Sequence, residues 1–238
     1  MFKIAISSFV VLLACAPPAP GGTGPGGGDD NPGVDAPVVT SGHVTLSGTA
    51  KEQGQSGSTP LSGVAIAAYQ TGLDTPLAMT TSDAQGSYSL ALNAGSLDGY
   101  LKVTKSGYTD TYLYPAAPWT KDATIEASLL STSTFGLLVT FAGGDSSKGV
   151  IIATIVDGAG APVSGAKISS TPSSGVYKYS DGTGAPTSTS GTPADGTAFF
   201  LSVPVGQVAV SATKSGATFK THMVAAHNGA LVTTSISE

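Results

Sequence analysis

Apolar and polar residues alternate in several short stretches of the chain. The clearest are Tyr-Ser-Leu-Ala-Leu at 88–92, Leu-Lys-Val-Thr at 101–104 and Val-Ala-Val-Ser-Ala at 208–212. Because successive side chains of a β-strand point to opposite faces of its sheet, this period of two predicts strands with one buried and one solvated face. No stretch after residue 14 shows a convincing period of 3.6 residues, so helices are not expected there.

Strand signals recur about every ten residues, with Gly, Pro, Asp or Asn between them. In the first part of the chain, strands are expected at roughly 43–50, 64–69, 76–82, 87–92, 100–105, 109–114 and 123–129. Many short strands with regular turn signals are typical of a β-sandwich, so the pattern favours an all-β fold.

Three landmarks occur twice in the same order. Pro60-Leu-Ser-Gly-Val-Ala-Ile66 returns 102 residues later as Pro-Val-Ser-Gly-Ala-Lys-Ile, and the Thr-Lys-Ser-Gly at 104–107 returns 109 residues later. Between them, Ser82-Asp-Ala-Gln-Gly-Ser-Tyr88 has a looser counterpart at 192–199. Similar offsets imply a duplicated unit, and we predict two tandem domains at 40–130 and 131–238. The second copy is longer by a Ser-, Thr-, Gly- and Pro-rich insertion at 172–191.

The repeated landmarks carry turn chemistry. Pro60 and Pro162 fix φ just before a Ser-Gly pair, and Gly63 and Gly165 can adopt a positive φ there. Asp83 to Gly86, and Asp-Gly at 195–196, are expected to form hairpin turns. These residues are folding signals rather than catalytic groups.

Together these landmarks, with Val203-Pro-Val-Gly206 and the two Lys-Ser-Gly turns, resemble the carboxypeptidase regulatory-like domain. The resemblance covers about residues 40–238. It implies two tandem Ig-like, prealbumin-like (transthyretin-like) β-sandwiches of seven strands each, related to starch-binding-like and collagen-adhesin modules. It implies little about function, because such modules occur in surface lipoproteins, adhesins and enzyme appendages alike.

The amino terminus has the features of an export signal. Lys3 precedes an apolar run from Ile4 to Ala14, which is too short to cross a bilayer because a spanning helix needs about 20 residues. Leu12-Leu-Ala-Cys15 resembles the lipobox of bacterial lipoproteins. The resemblance implies that a signal peptide at 1–14 is removed and that the Cys15 thiol carries a diacylglycerol. Cys15 is the only cysteine, so it has no disulfide partner within the chain.

Residues 15–39 consist largely of Gly, Pro and Asp. Such a segment has few side chains to bury, so we expect a disordered tether between the lipid and the sandwiches. Asp29, Asp30, Asn31 and Asp35 leave a calcium loop as an alternative, although a solvated acidic linker explains them more simply.

Charge excludes two classes of protein. Only 11% of residues are charged, against roughly 25% in average soluble domains, which disfavours a helical bundle or coiled coil. All ten basic residues are lysines, they are scattered, and they are outnumbered by fifteen acids. We therefore expect no nucleic-acid partner.

Catalytic and metal-binding patterns are weak. Ser-x-x-Lys at 164–167 and 211–214 falls on strand edges and turns, whereas penicillin-recognising enzymes place that serine at the start of a helix. His43, His222 and His227 are too few and too dispersed for a metal site. We predict no catalytic residues, no metal and no cofactor. An adhesin-type isopeptide cross-link of Glu126 with Lys51 or Lys102 remains a remote alternative.

The best binding candidates are aromatic. Tyr112, Tyr114 and Trp119 lie within eight residues, and Trp119 is in a proline-flanked loop. Exposed rings there would stack on sugars or form a protein contact, whereas the alternative is that they fill a small sandwich core.

The sequence therefore predicts a non-enzymatic lipoprotein of the bacterial cell envelope. Its partners would be the membrane, through the lipid, and either a surface glycan or an envelope protein. If the host is Gram-negative, Ala16 after the cysteine favours the outer membrane. The alternatives are a carbohydrate-binding surface protein and, last, a hydrolase built on the 172–191 insertion.

Overall fold

Short strands dominate residues 42–54 and 57–238, the part of the chain that the computed structural model describes. The strands of the first half are β1 (Val44–Gly54), β2 (Gly57–Pro60), β3 (Ala65–Gln70), β4 (Ala78–Thr81), β5 (Ser87–Leu92), β6 (Gly99–Thr104), β7 (Thr111–Leu113), β8 (Ala123–Thr124) and β9 (Ala127–Leu129). Helix α1 (Thr132–Phe141) follows. The strands of the second half are β10 (Gly149–Val156), β11 (Lys167–Thr171), β12 (Val176–Ser180), β13 (Pro186–Thr187), β14 (Thr197–Val203), β15 (Gly206–Thr213), β16 (His222–Ala226) and β17 (Leu231–Ser237). The all-β sandwich class is confirmed.

In the first half, β1 is the central strand of one sheet. It pairs antiparallel with β2 and β5, and parallel with β8 and β9. The opposing sheet has the order β4-β3-β6-β7. The alternating apolar residues of β1, β5 and β6 point between these sheets, and Leu46, Leu90 and Leu101 are fully buried there.

The second half repeats this arrangement. Its central strand β10 pairs antiparallel with β14 and parallel with β17, and the opposing sheet has the order β11-β15-β16. The core between the sheets contains Ile151, Phe200 and Val210. The insertion forms β12 and β13, which extend the β14 edge of the first sheet. It therefore adds strands rather than a separate lobe.

Both copies of the Pro-Ser-Gly turn are bound to the central strand by the same hydrogen bonds. Leu61 N donates to Ala50 O at 2.8 Å, and Val163 N donates to Ile155 O at 2.8 Å. In each half a buried hydroxyl completes the turn by donating to a carbonyl and accepting from an amide. These contacts are Ser82 Oγ to Leu61 O (2.7 Å) and from Val64 N (3.0 Å), and Thr192 Oγ1 to Val163 O (2.6 Å) and from Ala166 N (2.9 Å). The repeated sequence thus builds a repeated turn.

The two halves share one sheet. β17 pairs in parallel with β7, so Leu231, Val232 and Thr233 lie opposite residues 111–113. This pairing joins a sheet of the first half to a sheet of the second, and the resulting nine-stranded sheet runs β13-β12-β14-β10-β17-β7-β6-β3-β4. At the join, the backbone N–H and C=O groups of two sheet edges form hydrogen bonds with each other instead of remaining unpaired.

Helix α1 contradicts the expectation that no helix occurs after residue 14. The Ser131 hydroxyl caps it by accepting from Thr134 N at 3.2 Å. Phe135 and Leu138 are buried against Ile152 and other residues of the nine-stranded sheet. The sequence shows no period of 3.6 residues here because apolar residues also occupy the exposed side of α1, where Phe141 is 70% exposed.

The predicted division at 130/131 stays a prediction, since the two cores are linked by the shared sheet. The predicted signal peptide at 1–14, the lipid site at Cys15 and the tether at 15–39 lie outside the described residues. Within residues 42–54 and 57–238, no helix has the length and hydropathy needed to cross a lipid bilayer.

Candidate functional site

Tyr112 lies at the join between the halves. It is 7% exposed and belongs to the core of the second half. Its ring stacks on His227, with centroids 4.0 Å apart and planes inclined by 14°. The structure therefore places Tyr112 in the core-packing arrangement rather than on an exposed patch.

Other groups on the same sheet face surround this contact. Lys102 Nζ lies 5.5 Å from the centroid of the Tyr112 ring and pairs with Asp110 at 3.3 Å. Tyr100 stacks on Tyr69 at 5.3 Å and on Tyr114 at 4.9 Å. A row of aromatic rings thus follows the face of the first half that meets the second.

Two histidines lie on the second-half side of this join. The Nε2 atoms of His222 and His227 are buried, and neither has a hydrogen-bond partner among the described residues. Burial lowers the pKa of both imidazoles. Asp98 partly opposes this effect at His222, whereas nearby Lys102 reinforces it at His227. Asp110 partly opposes the lowering of the pKa at His227, and burial remains the largest cause at both imidazoles, so both favour the neutral form at pH 7.

A cavity of about 410 Å³ opens at one end of the join. Its first wall is the β7–β8 loop at 114–123, and its second wall is the turn at 157–162 with the end of β17. In the loop, Pro115 and Pro118 have no amide proton to donate to a sheet, which keeps this segment out of the ladder. The volume falls within the range of ordinary ligand pockets, about 300–1,000 Å³.

The second wall is shaped by an aspartate turn. Asp157 Oδ1 accepts from Ala159 N and Ala161 N, each at 2.9 Å. Gly160 in this turn has φ +83°, a conformation that glycine adopts without steric cost. The turn therefore presents a defined backbone to the cavity.

Trp119 lines the cavity and is 7% exposed. Its backbone is fixed by a bridge in which Trp119 N donates to Leu97 O at 2.9 Å and Leu97 N donates to Trp119 O at 2.7 Å. The indole Nε1 is buried and has no partner among the described residues. An unsatisfied buried donor costs about 1–3 kcal/mol, so this N–H lowers the local stability of the loop.

Tyr114 also lines the cavity and is half-buried. Its hydroxyl accepts a hydrogen bond from Ala225 N at 3.3 Å. Burial raises its pKa to about 12, so the phenol stays protonated at neutral pH. Of the three aromatic residues singled out in the sequence, the cavity thus unites Tyr114 with Trp119, whereas Tyr112 is not part of its lining.

Charged side chains of both signs complete the lining. The lysines are Lys121 and Lys220, and the acids include Asp122 and Asp157. Asp122 Oδ1 accepts from Thr45 N at 2.7 Å. Sequence reasoning missed Asp157, Lys220 and the end of β17, because these segments are distant in the chain and only the β7–β17 pairing brings them to the loop.

The weak chemical motifs are not assembled into a reactive centre. Ser164 and Lys167 are both exposed, and Ser211 Oγ shares a hydrogen bond with Ser169 Oγ at 2.9 Å. Among the residues that the structure describes, no group of three His, Cys, Asp or Glu side chains is arranged to hold a metal. Lys51 pairs with Glu126, as the isopeptide alternative requires, but this pair is partly exposed and not the buried triad of that chemistry.

No protein-family model matches the chain, and no curated protein matches it. Among solved structures, the Bacillus anthracis TIE protein is 14% identical with a TM-score of 0.29, over 82% of this chain and 33% of that one. The minor pilin GBS52 of Streptococcus agalactiae is 13% identical with a TM-score of 0.27, over 81% and 94%. The 3-chlorocatechol 1,2-dioxygenase of Rhodococcus opacus 1CP is 13% identical with a TM-score of 0.28, over 39% and 61%.

This chain spans about a third of the length of the TIE protein chain. At such identities and TM-scores, the three similarities carry no argument about activity or partners.

Proposed function

We propose that the chain is a non-enzymatic, membrane-anchored lipoprotein of the bacterial cell envelope whose two sandwich halves act as one stiff binding or spacer module. The observation that carries the stiff module is the parallel pairing of β7 with β17. A spacer must keep a fixed end-to-end distance, and two halves joined by a free hinge would not keep one.

Three contacts oppose rotation at the join. Leu231 N donates to Asp110 O at 3.0 Å, Tyr114 N donates to Thr233 O at 2.9 Å, and Tyr112 stacks on His227. A relative rotation of the halves would break these contacts together, because they lie within a few residues of one another along the same strand pair. The join therefore resists bending.

Spin labels test this stiffness, because the chain has only one native cysteine to remove. In a Cys15→Ala background, the exposed Ser89 and Ser188 are replaced by cysteine and labelled, one in each half. Pulsed electron–electron double resonance is expected to give one narrow distribution of the distance between the two labels. A broad distribution would contradict the proposal, and a pair within one half, Ser89 with Ser58, serves as the reference for label width.

The anchor rests on the lipobox resemblance at Cys15. When a detergent extract is separated into two phases, a protein that carries several acyl chains partitions into the detergent phase. The reason is that several chains anchor a protein firmly in an apolar phase, whereas one chain does so only marginally. Expressed with its leader, the wild type is expected in the detergent phase and Cys15→Ala in the aqueous phase. A Ser41→Ala variant serves as a control with an intact lipobox. Equal partition of Cys15→Ala and wild type would reject lipidation.

Carbohydrate binding is a second candidate, and it is favoured by the cavity that Tyr114 and Trp119 line. An aromatic ring beside carboxylates and amines suits a sugar, which has apolar ring faces and a rim of hydroxyls. A glycan array with wild type and Trp119→Ala tests it. Binding by the wild type alone is expected, and no binding by either protein rejects this candidate.

A further inference from the structure

Strand β17 has a short stretch of backbone that no neighbouring strand covers. In a parallel sheet, every second residue of a strand directs its N–H and C=O groups to the same neighbour. On the β7 side of β17, Tyr114 N donates to Thr233 O at 2.9 Å, and Lys220 N donates to Ser237 O at 2.8 Å. Ser235 lies midway between Thr233 and Ser237, so its N–H and C=O groups also point to the β7 side.

Neither backbone group of Ser235 has a partner on that side. The ladder between β7 and β17 ends at the pair of Leu113 with Thr233, and no described residue bonds to Ser235 N or O from there. Ser235 is half-buried and lines the cavity, whose other wall is the 114–123 loop that follows β7. The direction of the two groups therefore leads from β17 into the cavity, toward this loop.

These groups match the backbone of an extended peptide. An added strand donates to the C=O and accepts from the N–H of the residue that it faces, and the pattern repeats about every 6.6 Å along the strand. The loop wall includes Ala116 and Ala117, whose short side chains leave room for such a strand. Lysines and aspartates both line the cavity, so an uncharged peptide meets no repulsion of one sign.

We propose that the cavity binds an extended peptide segment of a partner protein, which adds as a short strand beside Ser235. The proposal rests on the binding role proposed above and names the chemistry of the partner, but it does not use the carbohydrate candidate. Because Thr233 O and Ser237 O already accept from this chain, the added strand pairs over two or three residues. The rest of the segment leaves through the mouth of the cavity.

An array of end-capped, uncharged octapeptides of Ala, Val, Thr and Ser tests the proposal with labelled protein. Ser235→Pro removes the amide proton and places a ring carbon in the path of the peptide, and no ladder hydrogen bond is lost because Ser235 N faces the cavity. We expect the best peptide to bind this variant about tenfold or more weakly than the wild type. Ser235→Ala keeps the amide and should bind within about twofold of the wild type.

A modified peptide gives a second test that needs no protein variant. Methylation of the backbone nitrogens of the best peptide, one at a time, removes one donor in each copy. Methylation at a central position should weaken binding to the wild type about tenfold or more, because main-chain pairing depends on that donor.

The proposal is overturned if no peptide of the array binds, if the methylated copies all bind as well as the parent, or if a folded Ser235→Pro protein binds as well as the wild type. Binding to the glycan array alone would also overturn it and would favour the carbohydrate candidate. None of these results touches the anchor or the stiffness of the module, which detergent partition and spin labels measure separately.

Discussion

The two halves of the molecule use the same turn but differ at their outer strands. In both, a Pro-Ser-Gly turn is bound to the central strand by matching backbone and hydroxyl contacts. In the first half, β7 pairs with β17 of the second half as well as with β6, whereas its positional counterpart β16 pairs with β15 alone among the described strands. The duplicated residues therefore build each half, and the residues that were not duplicated build the join.

The largest expected effect comes from breaking the join at Tyr112. Truncation by Tyr112→Ala removes a buried ring and its stack on His227, and we expect a loss of about 3–5 kcal/mol in the free energy of unfolding, as for a buried phenylalanine. Urea denaturation measures this loss, and the spin-label distances should broaden at the same time. Tyr112→Phe keeps the ring and should cost less than about 1 kcal/mol. An unchanged distance distribution in Tyr112→Ala would show that the ring does not stiffen the join.

The hairpin glycines test whether the two halves are equally constrained. Gly86 and Gly196 have φ +77° and +66°, and a Cβ on either would lie 2.6 Å from the carbonyl oxygen of Ala50 or Ile155. Each alanine variant is expected to lose about 3 kcal/mol or more, because backbone strain of about 1–3 kcal/mol adds to this contact.

Gly107 and Gly216 are matched controls for these glycine variants. They have φ +85° and +81° with open space around the missing Cβ, so their alanine variants should report strain alone. A loss at Gly86 that is no larger than the loss at Gly107 would mean that the close approach is relaxed at little cost.

The buried hydroxyls of the turns should give a smaller effect. Ser82→Ala and Thr192→Val each leave an amide and a carbonyl without their partner, which costs about 1–3 kcal/mol in the free energy of unfolding. Ser82→Thr and Thr192→Ser retain the hydroxyl and serve as controls. If Ser82→Ala and Thr192→Val lost clearly different amounts of the free energy of unfolding, the two copies of the turn would not contribute equally to stability.

The smallest effect is the pH dependence of the join. Burial depresses the pKa of His222 and His227 below their ordinary 6.5, so the folded state binds fewer protons than the unfolded state below that pH. This contribution to stability is present above pH 6.5 and declines as pH falls through the lowered values. Urea midpoints at pH 7.5 and 5.5 should show the decline, and His227→Gln should reduce it. An equal decline in that variant would assign the effect to other groups.

Much of the fold was predictable from local patterns. Each strand expected in the first half coincides with an observed strand, because period-two alternation and turn residues are local signals. Helix α1 was missed because Leu137 and Phe141 on its exposed side are as apolar as the buried Phe135 and Leu138. The candidate site was only half predictable, since Trp119 and Tyr114 are conspicuous in sequence but Asp157 and Lys220 are not.

The sequence by itself determined the strands and the duplicated turns, and it carries the resemblance from which we propose a lipid at Cys15, because each depends on residues close together in the chain. Only the tertiary structure decided that Tyr112 is buried, that the halves share a sheet and that Trp119 lies beside a cavity. The physical reason is that these features depend on the pairing of β7 with β17, strands more than one hundred residues apart, and no period or motif encodes which sheet edges meet.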